Sequence, residues 1–388
     1  MSHVHHVAGH SLQLLRCGEE YFPRLVEKID AASESVYLET YIYATDASGR
    51  LVADALMRAA QRGVAVHLLL DGFGSADFPQ NWRAELRAAG VQVLIYRPQI
   101  SWLTLRRKRL RRLHRKLALI DGHVAFIGGI NIIDDTSDGT EVPRLDYAVE
   151  VHGETVQRIR ASMRRLWAMV SWISLRKRHE HDKLKLLLPA ATQPHVAFVF
   201  RDNLRHHNDI QQAYLDAIIN AKSEIVIANA YFLPGRIFRH ALMDAARRGV
   251  RVVLMLPGRM DHPMLQYATQ FMYDELLDAG LEIYEYRASF MHAKVAVVDH
   301  YWATVGSSNI DPFSLWLARE ANLVIRDSGF AAHLRASLQQ EMEHGATPVQ
   351  HSVWIRKSFW ARLLPRMSYV LVRLMTAISG RARERDQV

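Results

Sequence analysis

Cysteine is almost missing from this chain. Cys17 stands alone among 388 residues, which excludes an intramolecular disulfide and suits a reducing compartment. The amino terminus has no apolar stretch of signal-peptide type; it is polar and carries His3, His5, His6 and His10. Secretion is therefore not expected. No long uncharged apolar run is present either. The nearest approach, Val353 to Ile378, is broken by Pro365 and by Arg356, Lys357, Arg362, Arg366 and Arg373, whereas a spanning helix needs about 20 mostly apolar residues. Acidic residues are absent from that same stretch. Histidine is plentiful, but His179 and His181 with Asp182, and His206 and His207 with Asp209, lack a zinc spacing joined to a cysteine or carboxylate pattern. No metal and no cofactor are expected.

What the chain does contain is a repeat. His114, Lys116 and Asp121 form H-x-K-x4-D, and His292, Lys294 and Asp299 form it again 178 residues later. Gly129 then falls onto Ser307, and Asn131 onto Asn309. A histidine and a lysine two apart on an extended strand point to the same side. Two such pairs can hold an anionic group between basic walls and offer it two imidazoles, as phosphoryl transfer through a covalent intermediate requires. The repeat is wider than the motif. Residues 35–43 match 224–232 in pattern, 55–72 match 241–258 closely, and 85–97 echo 275–287. Two fused copies of one unit explain this order.

Within each copy the rhythm is strand, helix, strand, helix, strand. Alanine-rich amphipathic stretches end at Gly63, Gly90, Gly249 and Gly280, the usual position just past a helix. Apolar runs follow at 64–70, 91–96, 250–256 and 281–286, with a composition suited to strands covered on both faces. Each copy is expected to be an α/β/α sandwich around a mixed sheet. The boundary is placed in the 180–196 region, giving domains 1–185 and 186–345 and a tail 346–388. A pseudo-twofold packing would bring one histidine and one lysine from each half together.

These residues resemble the phospholipase D superfamily, whose signature is H-x-K-x4-D followed by Gly-Gly/Ser-x-Asn. Here that is His114, Lys116, Asp121, Gly128, Gly129 and Asn131, then His292, Lys294, Asp299, Gly306, Ser307 and Asn309. The resemblance runs from about residue 12 to 345. Residues 306–314 with 320–322, and also 39–43 and 71–75, resemble bacterial cardiolipin synthases, and the shorter amino terminus resembles their B-like branch. One departure is Asp146-Tyr147, where many relatives carry His-Asp after an arginine; Arg144 and Asp146 are read as that neighbourhood.

The resemblance implies two phospholipase D-like domains and a ping-pong phosphatidyl transfer. One imidazole attacks the phosphorus while the other protonates the departing alcohol, and later deprotonates the acceptor. Attack is assigned to His114 and acid–base work to His292. Lys116 and Lys294 are expected to clamp the non-bridging oxygens, with Asn131 and Asn309 donating further hydrogen bonds. Glu320 is expected to orient the histidine of the second motif, and Glu154 to be its counterpart in the first half. Asp121 and Asp299 are counted with the motif but expected to hold the fold together through backbone and cross-domain bonds. The implied reaction is cardiolipin synthesis from phosphatidylglycerol or another phospholipid, with glycerol released. A phospholipase D hydrolase and a metal-independent nuclease of the same superfamily are the alternatives.

A formal charge of +9 is unevenly spread. Arg106, Arg107, Lys108 and Arg109 open a basic run that leads into the first motif behind Trp102 and Leu103, suited to gathering an anionic substrate or lipid surface. Trp354, Phe359 and Trp360, with the arginines among them, suit helices lying in the headgroup region. Residues 163–175 are a second contact or a packed helix. The expected partners are phosphatidylglycerol, other phospholipids and an anionic membrane surface, without nucleic acid. The expected location is peripheral, on the cytoplasmic side of a bacterial inner membrane.

Overall fold

The protein is described by a computed structural model covering residues 3–98, 111–136, 142–175, 194–202, 206–259, 263–311, 318–351 and 359–381. Its first sheet contains β1 (Val4–Val7), β2 (His10–Arg16), β3 (Ser35–Thr40), β4 (Ala65–Asp71) and β5 (Gln92–Tyr96). After a short β6 (Arg112–Leu113), it is completed by β7 (Lys116–Ile120), β8 (Val124–Gly128) and β9 (Tyr147–His152). The second comprises β10 (Val196–Arg201), β11 (Glu224–Asn229), β12 (Arg251–Pro257), β13 (Glu282–Tyr286), β14 (Lys294–Val298), β15 (Trp302–Gly306), β16 (Ala318–Arg326) and β17 (Ala346–Pro348). The first order is β1-β2-β9-β8-β7-β3-β4-β5 and the second β10-β16-β15-β14-β11-β12-β13-β17. Dropping the extra edge strands β1 and β17 leaves one order written twice. In both, the strands at β3-β4-β5 and β11-β12-β13 run parallel and the rest antiparallel.

The expected strands appear within a residue of their apolar runs. Each of the four glycines expected to end a helix has a positive φ, from 88° to 101°, a region that costs glycine nothing. The helices are α1 (Cys17–Asp30), α2 (Ala47–Gln61), α3 (Gln80–Ala88), α4 (Thr155–Leu175), α5 (Asp209–Asn220) and α6 (Arg236–Arg247). They continue with α7 (Pro263–Gln270), α8 (Tyr273–Asp278), α9 (Ser328–Gly345) and α10 (Phe359–Arg381). Asp46 caps α2 by accepting from Gly49 N, and Asp327 caps α9 by accepting from Phe330 N.

Every residue of β7 and of β14 is buried, because each strand has apolar partners on both faces. On the outer face of the first sheet, Ala118 and Ile120 pack with Leu25, Val52 and Leu56 of α1 and α2. On the outer face of the second, Ala296 and Val298 pack with Ile218, Leu242 and Leu276 of α5, α6 and α8. The inner faces share one core: Leu117, Leu119, Val295 and Val297 lie in a single cluster with Ile159 of α4 and Leu334 of α9. Each such leucine or valine contributes roughly 1.5–3 kcal/mol when buried, so the two halves are held as one body.

The expected domain boundary at 185/186 lies outside the described residues. Beyond residue 345 the chain still belongs to the second half, since β17 pairs with β13 through Ala346, Thr347 and Pro348. Residues 163–175 form the end of α4, where Met163, Leu166, Trp167 and Val170 are buried while Trp172 and Ile173 are exposed. Among the described residues, no helix is long and apolar enough to cross a membrane.

Candidate active site

Both H-x-K segments enter their strands at the seam between the halves, and the backbone there is exchanged in reciprocal fashion. His114 N donates to Arg319 O at 3.0 Å, just before Glu320, and His292 N donates to Leu145 O at 2.8 Å, just before Asp146. β6 adds a parallel pairing of Arg112 and Leu113 with Ala318 and Arg319. Asp71 fixes the same approach from within the first half: its fully buried carboxylate accepts from Leu113 N at 2.7 Å and from Phe73 and Gly74.

This exchange sets the carboxylates. His114 Nδ1 lies 2.9 and 3.1 Å from the two oxygens of Glu320, whereas His292 Nδ1 lies 2.7 Å from Asp146 Oδ2. Each histidine is therefore oriented by an acid from the other half. The expectation for Glu320 is corrected: it follows the second motif in sequence but serves the first histidine, because the strand that carries it crosses the seam. Glu154 is corrected too. It is exposed in the turn ahead of α4, at the far end of β9 from Asp146; the first half's acid is Asp146, and it is set on His292 rather than on His114. The acids were hard to match by sequence, since Asp146 lies 15 residues past Asn131 (146 − 131) and Glu320 lies 11 past Asn309 (320 − 309).

Small residues make room for this arrangement. A Cβ on Gly129 would sit 2.2 Å from Asp146 Oδ1, so only glycine admits the acid there. At the equivalent Ser307 the hydroxyl instead donates to Glu320 Oε2. Lys116 Nζ donates to His114 O at 2.8 Å, and Lys294 Nζ donates to His292 O and stands 4.0 Å from Asp146. Tyr41 packs edge-on against the His114 ring at 4.8 Å, with Lys116 Nζ 5.3 Å from its centroid. Asn131 Oδ1 accepts from Ile42 N, while Asn309 Oδ1, also buried, has no hydrogen-bond partner among the described residues.

Burial governs the electrostatics. Desolvation lowers both histidines; Glu320 opposes this at His114, whereas Lys294, Lys116 and Arg144 push His292 well down. Desolvation also brings Lys116 down to about 7 against the pull of Glu320. Asp146 is raised to about 6 by burial, with Lys294 working the other way. Two neutral-leaning rings between two buried lysines make a site suited to an anionic group.

Asp121 and Asp299 lie at the opposite strand ends, five residues past each lysine (121 − 116 and 299 − 294), about 16 Å at strand rise. Both sit in the left-handed region, at φ 49° and 52°. Asp121 accepts from the backbone N–H of Ser33, Glu34 and Ser35, and Asp299 from those of Lys222, Ser223 and Glu224. Burial acts to raise them, but these bonds together outweigh it and leave both carboxyls below their usual value. These bonds lie within each half, not across the seam as expected.

Sequence reasoning missed a buried pair beneath His114. Arg115 donates to Glu39 at 2.8 and 2.9 Å and to Ser162 Oγ at 2.7 Å, with both charged partners almost wholly buried. A charged residue inside an otherwise apolar strand was the available signal. Arg106, Arg107, Lys108, Arg109 and Trp354 lie outside the described residues; Phe359 and Trp360 open α10. Among the described residues no group of three or more histidine, cysteine or acidic side chains is placed to hold a metal ion.

A family described as "Cardiolipin synthase, PLD-like domain" matches residues 25–167 and 214–342. Cardiolipin synthase B of Salmonella typhimurium is 39% identical over 383 residues, covering 96% of this chain and 90% of that protein. The Escherichia coli K12 protein of the same name is 38% identical over 384 residues, with the same coverage. Cardiolipin synthase A of Erwinia tasmaniensis is 32% identical, covering 94% of this chain and 75% of its own. Among solved structures, phosphatidylserine synthase of Haemophilus influenzae superposes with a TM-score of 0.66 at 15% identity, over 95% of this chain and 93% of that one. That likeness shows the shared fold.

Proposed function

Since the chain belongs to the cardiolipin synthase family of phospholipase D-like proteins, we propose that it transfers a phosphatidyl group between phospholipids through a phosphohistidine. The donor is phosphatidylglycerol, and the acceptor is the glycerol hydroxyl of a second phosphatidylglycerol. The observation that carries this reading is the reciprocal orientation of His114 by Glu320 and of His292 by Asp146. A carboxylate on each Nδ1–H turns each Nε2 toward the space between the lysines.

Attack is assigned to His114, the more exposed ring at 15% against 10%. Its Nε2 forms the bond to phosphorus while the bond to the glycerol oxygen breaks, and His292 supplies the proton to that oxygen. The positive charge gained by the attacking ring is set against Glu320. The neutral His292 then takes the proton of the acceptor hydroxyl, which displaces His114 and yields cardiolipin. Lys116 and Lys294 meet the non-bridging oxygens as charge builds on them. The phosphodiester's own negative charge favours the protonated forms that burial disfavours. Water in place of the acceptor gives phospholipase D hydrolysis. The enzyme works as a peripheral protein at an anionic phospholipid surface, on the cytoplasmic side of the inner membrane.

Purified protein with phosphatidylglycerol in mixed micelles should yield cardiolipin and glycerol by mass spectrometry. Failure to cleave any of several phospholipid donors, with release of nucleotides from single-stranded DNA without added metal, would replace this reading with the nuclease alternative.

A further inference from the structure

The last helix presents three distinct faces. Pro365, Ser368 and Val372 are buried, and the Tyr369 ring meets Phe271 at 4.6 Å. These positions fall on one side of a helix with 3.6 residues per turn, and that side packs on α7. Leu364, Met367, Leu371 and Leu374 recur at spacings of three and four on another side, with Val370 beside them, and their exposures run from 47% to 60%. Arg366 and Arg373 are exposed on the third. An apolar stripe of this length held open to solvent is unusual for a chain that buries its other amphipathic helices.

The stripe also has a definite place relative to the chemistry. Asn229, the last residue of β11, is in register with Lys294, so the ends of β11, β12 and β13 lie at the active-site end of the second sheet. α7 is tied to that end twice. Gln266 Nε2 donates to Gly258 O, just past β12, and Thr269 Oγ1 donates to Phe232 O. Phe232 in turn bridges Ile310, next to Asn309. α10, packed on α7, therefore stands at the rim of the pocket that holds His292 and Lys294.

We propose that Leu364, Met367, Val370, Leu371 and Leu374 form the surface by which this protein sits on an anionic phospholipid bilayer, holding the pocket mouth at the headgroups. This rests on the phospholipid reading above and sharpens it. The contact is made by a helix docked to the catalytic body rather than by a loose tail, and aliphatic residues of one face supply the insertion. A bilayer is favoured over a second copy of the chain by charge: the helix has arginines and no acidic residue from Phe359 to Arg381, and the whole chain is basic. An interfacial helix with basic residues beside an apolar face takes up this orientation.

The test uses the full chain carrying Met367→Glu and Leu371→Glu, both at exposed positions, so the fold is retained. Ile219→Glu is the control: it is 57% exposed and lies at the end of α5, ahead of the first residue of β11 and so away from the pocket. Flotation with phosphatidylglycerol/phosphatidylcholine vesicles should fall by about tenfold or more for the double variant, and turnover on vesicles should fall with it. Turnover of a short-chain monomeric phosphatidylglycerol should hold, and the control should match wild type throughout. Unchanged flotation would overturn the proposal, as would equal loss on both substrates, which would make the helix a wall of the pocket. Wild-type self-association dispersed by the double variant, with vesicle binding intact, would make the stripe an interface between copies. Flotation needs no turnover, so a wild type that floats but converts no phospholipid refutes the catalytic reading and not this one.

Discussion

Lys116 and Lys294 stand at the same register of matching strands, yet the residues before them are Arg115 and Ala293. Opposite Leu117 and Val295, the residues after the lysines, the neighbouring strands carry Glu39 and Ala228. The first half supports its motif on a buried ion pair, and the second supports its own on two methyl groups. The acids differ as well: Glu320 beside Ser307 in one case, Asp146 beside Gly129 in the other. A shorter acid closes the gap where the glycine lets it approach, and a longer one reaches over a hydroxyl that bonds it. The two halves thus arrive at one geometry around each imidazole by unlike means. This asymmetry is where the roles of otherwise symmetric residues can part.

The hardest break of the comparison is at the rings. His114→Ala and His292→Ala should each lower phosphatidyl transfer by more than about 10³-fold, since each removes a group used in both half-reactions. A donor labelled in its acyl chains should leave label only on His114, trapped best in the His292 variant. Label on His292 would reverse the assignment. At the next level, Glu320→Gln and Asp146→Asn should each cost about 10²-fold in kcat with little change in KM, because the lost charge is felt when a ring becomes cationic. If Glu320 served its own half, its variant would instead slow the step that His292 performs, and rapid-quench separation of the two half-reactions tells these apart.

The ion pair can be tested by making the first half resemble the second. Glu39→Ala alone should destabilise the fold by about 3–5 kcal/mol, because it leaves a buried guanidinium without its partner. Adding Arg115→Ala recreates the alanine pair and should recover most of that loss in denaturant unfolding. A double variant no more stable than the single would mean that the pair does not act as a unit.

The pH response comes next. Lys116 is depressed to about 7 by burial, so as pH rises through 7 the free enzyme loses that charge. kcat/KM on a monomeric substrate should therefore fall above about pH 7. kcat should fall only at higher pH, because the bound phosphodiester favours the ammonium. In Lys116→Arg the alkaline limb of kcat/KM should move away, since a guanidinium keeps its proton. The smallest effect concerns Asp121. Asp121→Ala should lower stability by about 1 kcal/mol, as water replaces part of what three backbone N–H donors lose. Because its folded pKa lies below the unfolded value, this contribution is present above the unfolded pKa and fades as pH falls through the folded one. kcat should be nearly unchanged, which separates this acid from the motif it completes in sequence.

The sequence by itself determined the duplicated sheets. Glycines at 63, 90, 249 and 280 and the apolar runs after them are local signals, and local signals survive because backbone conformation and face burial are decided within a few residues. It also placed His114 with Lys116 and His292 with Lys294, because a two-residue spacing on a strand fixes a common side. Which acid serves which histidine was decided only by the tertiary structure. Glu320 and Asp146 each follow their own motif in the chain, but β16 and the segment at Leu145 are hydrogen-bonded across the seam, so each acid arrives beside the other motif's ring. The partners of Asp121 and the docking of α10 on α7 were settled in the same way. An acid 206 residues from its histidine leaves no periodicity to read; it is brought there by the packing of two inner sheet faces into one core.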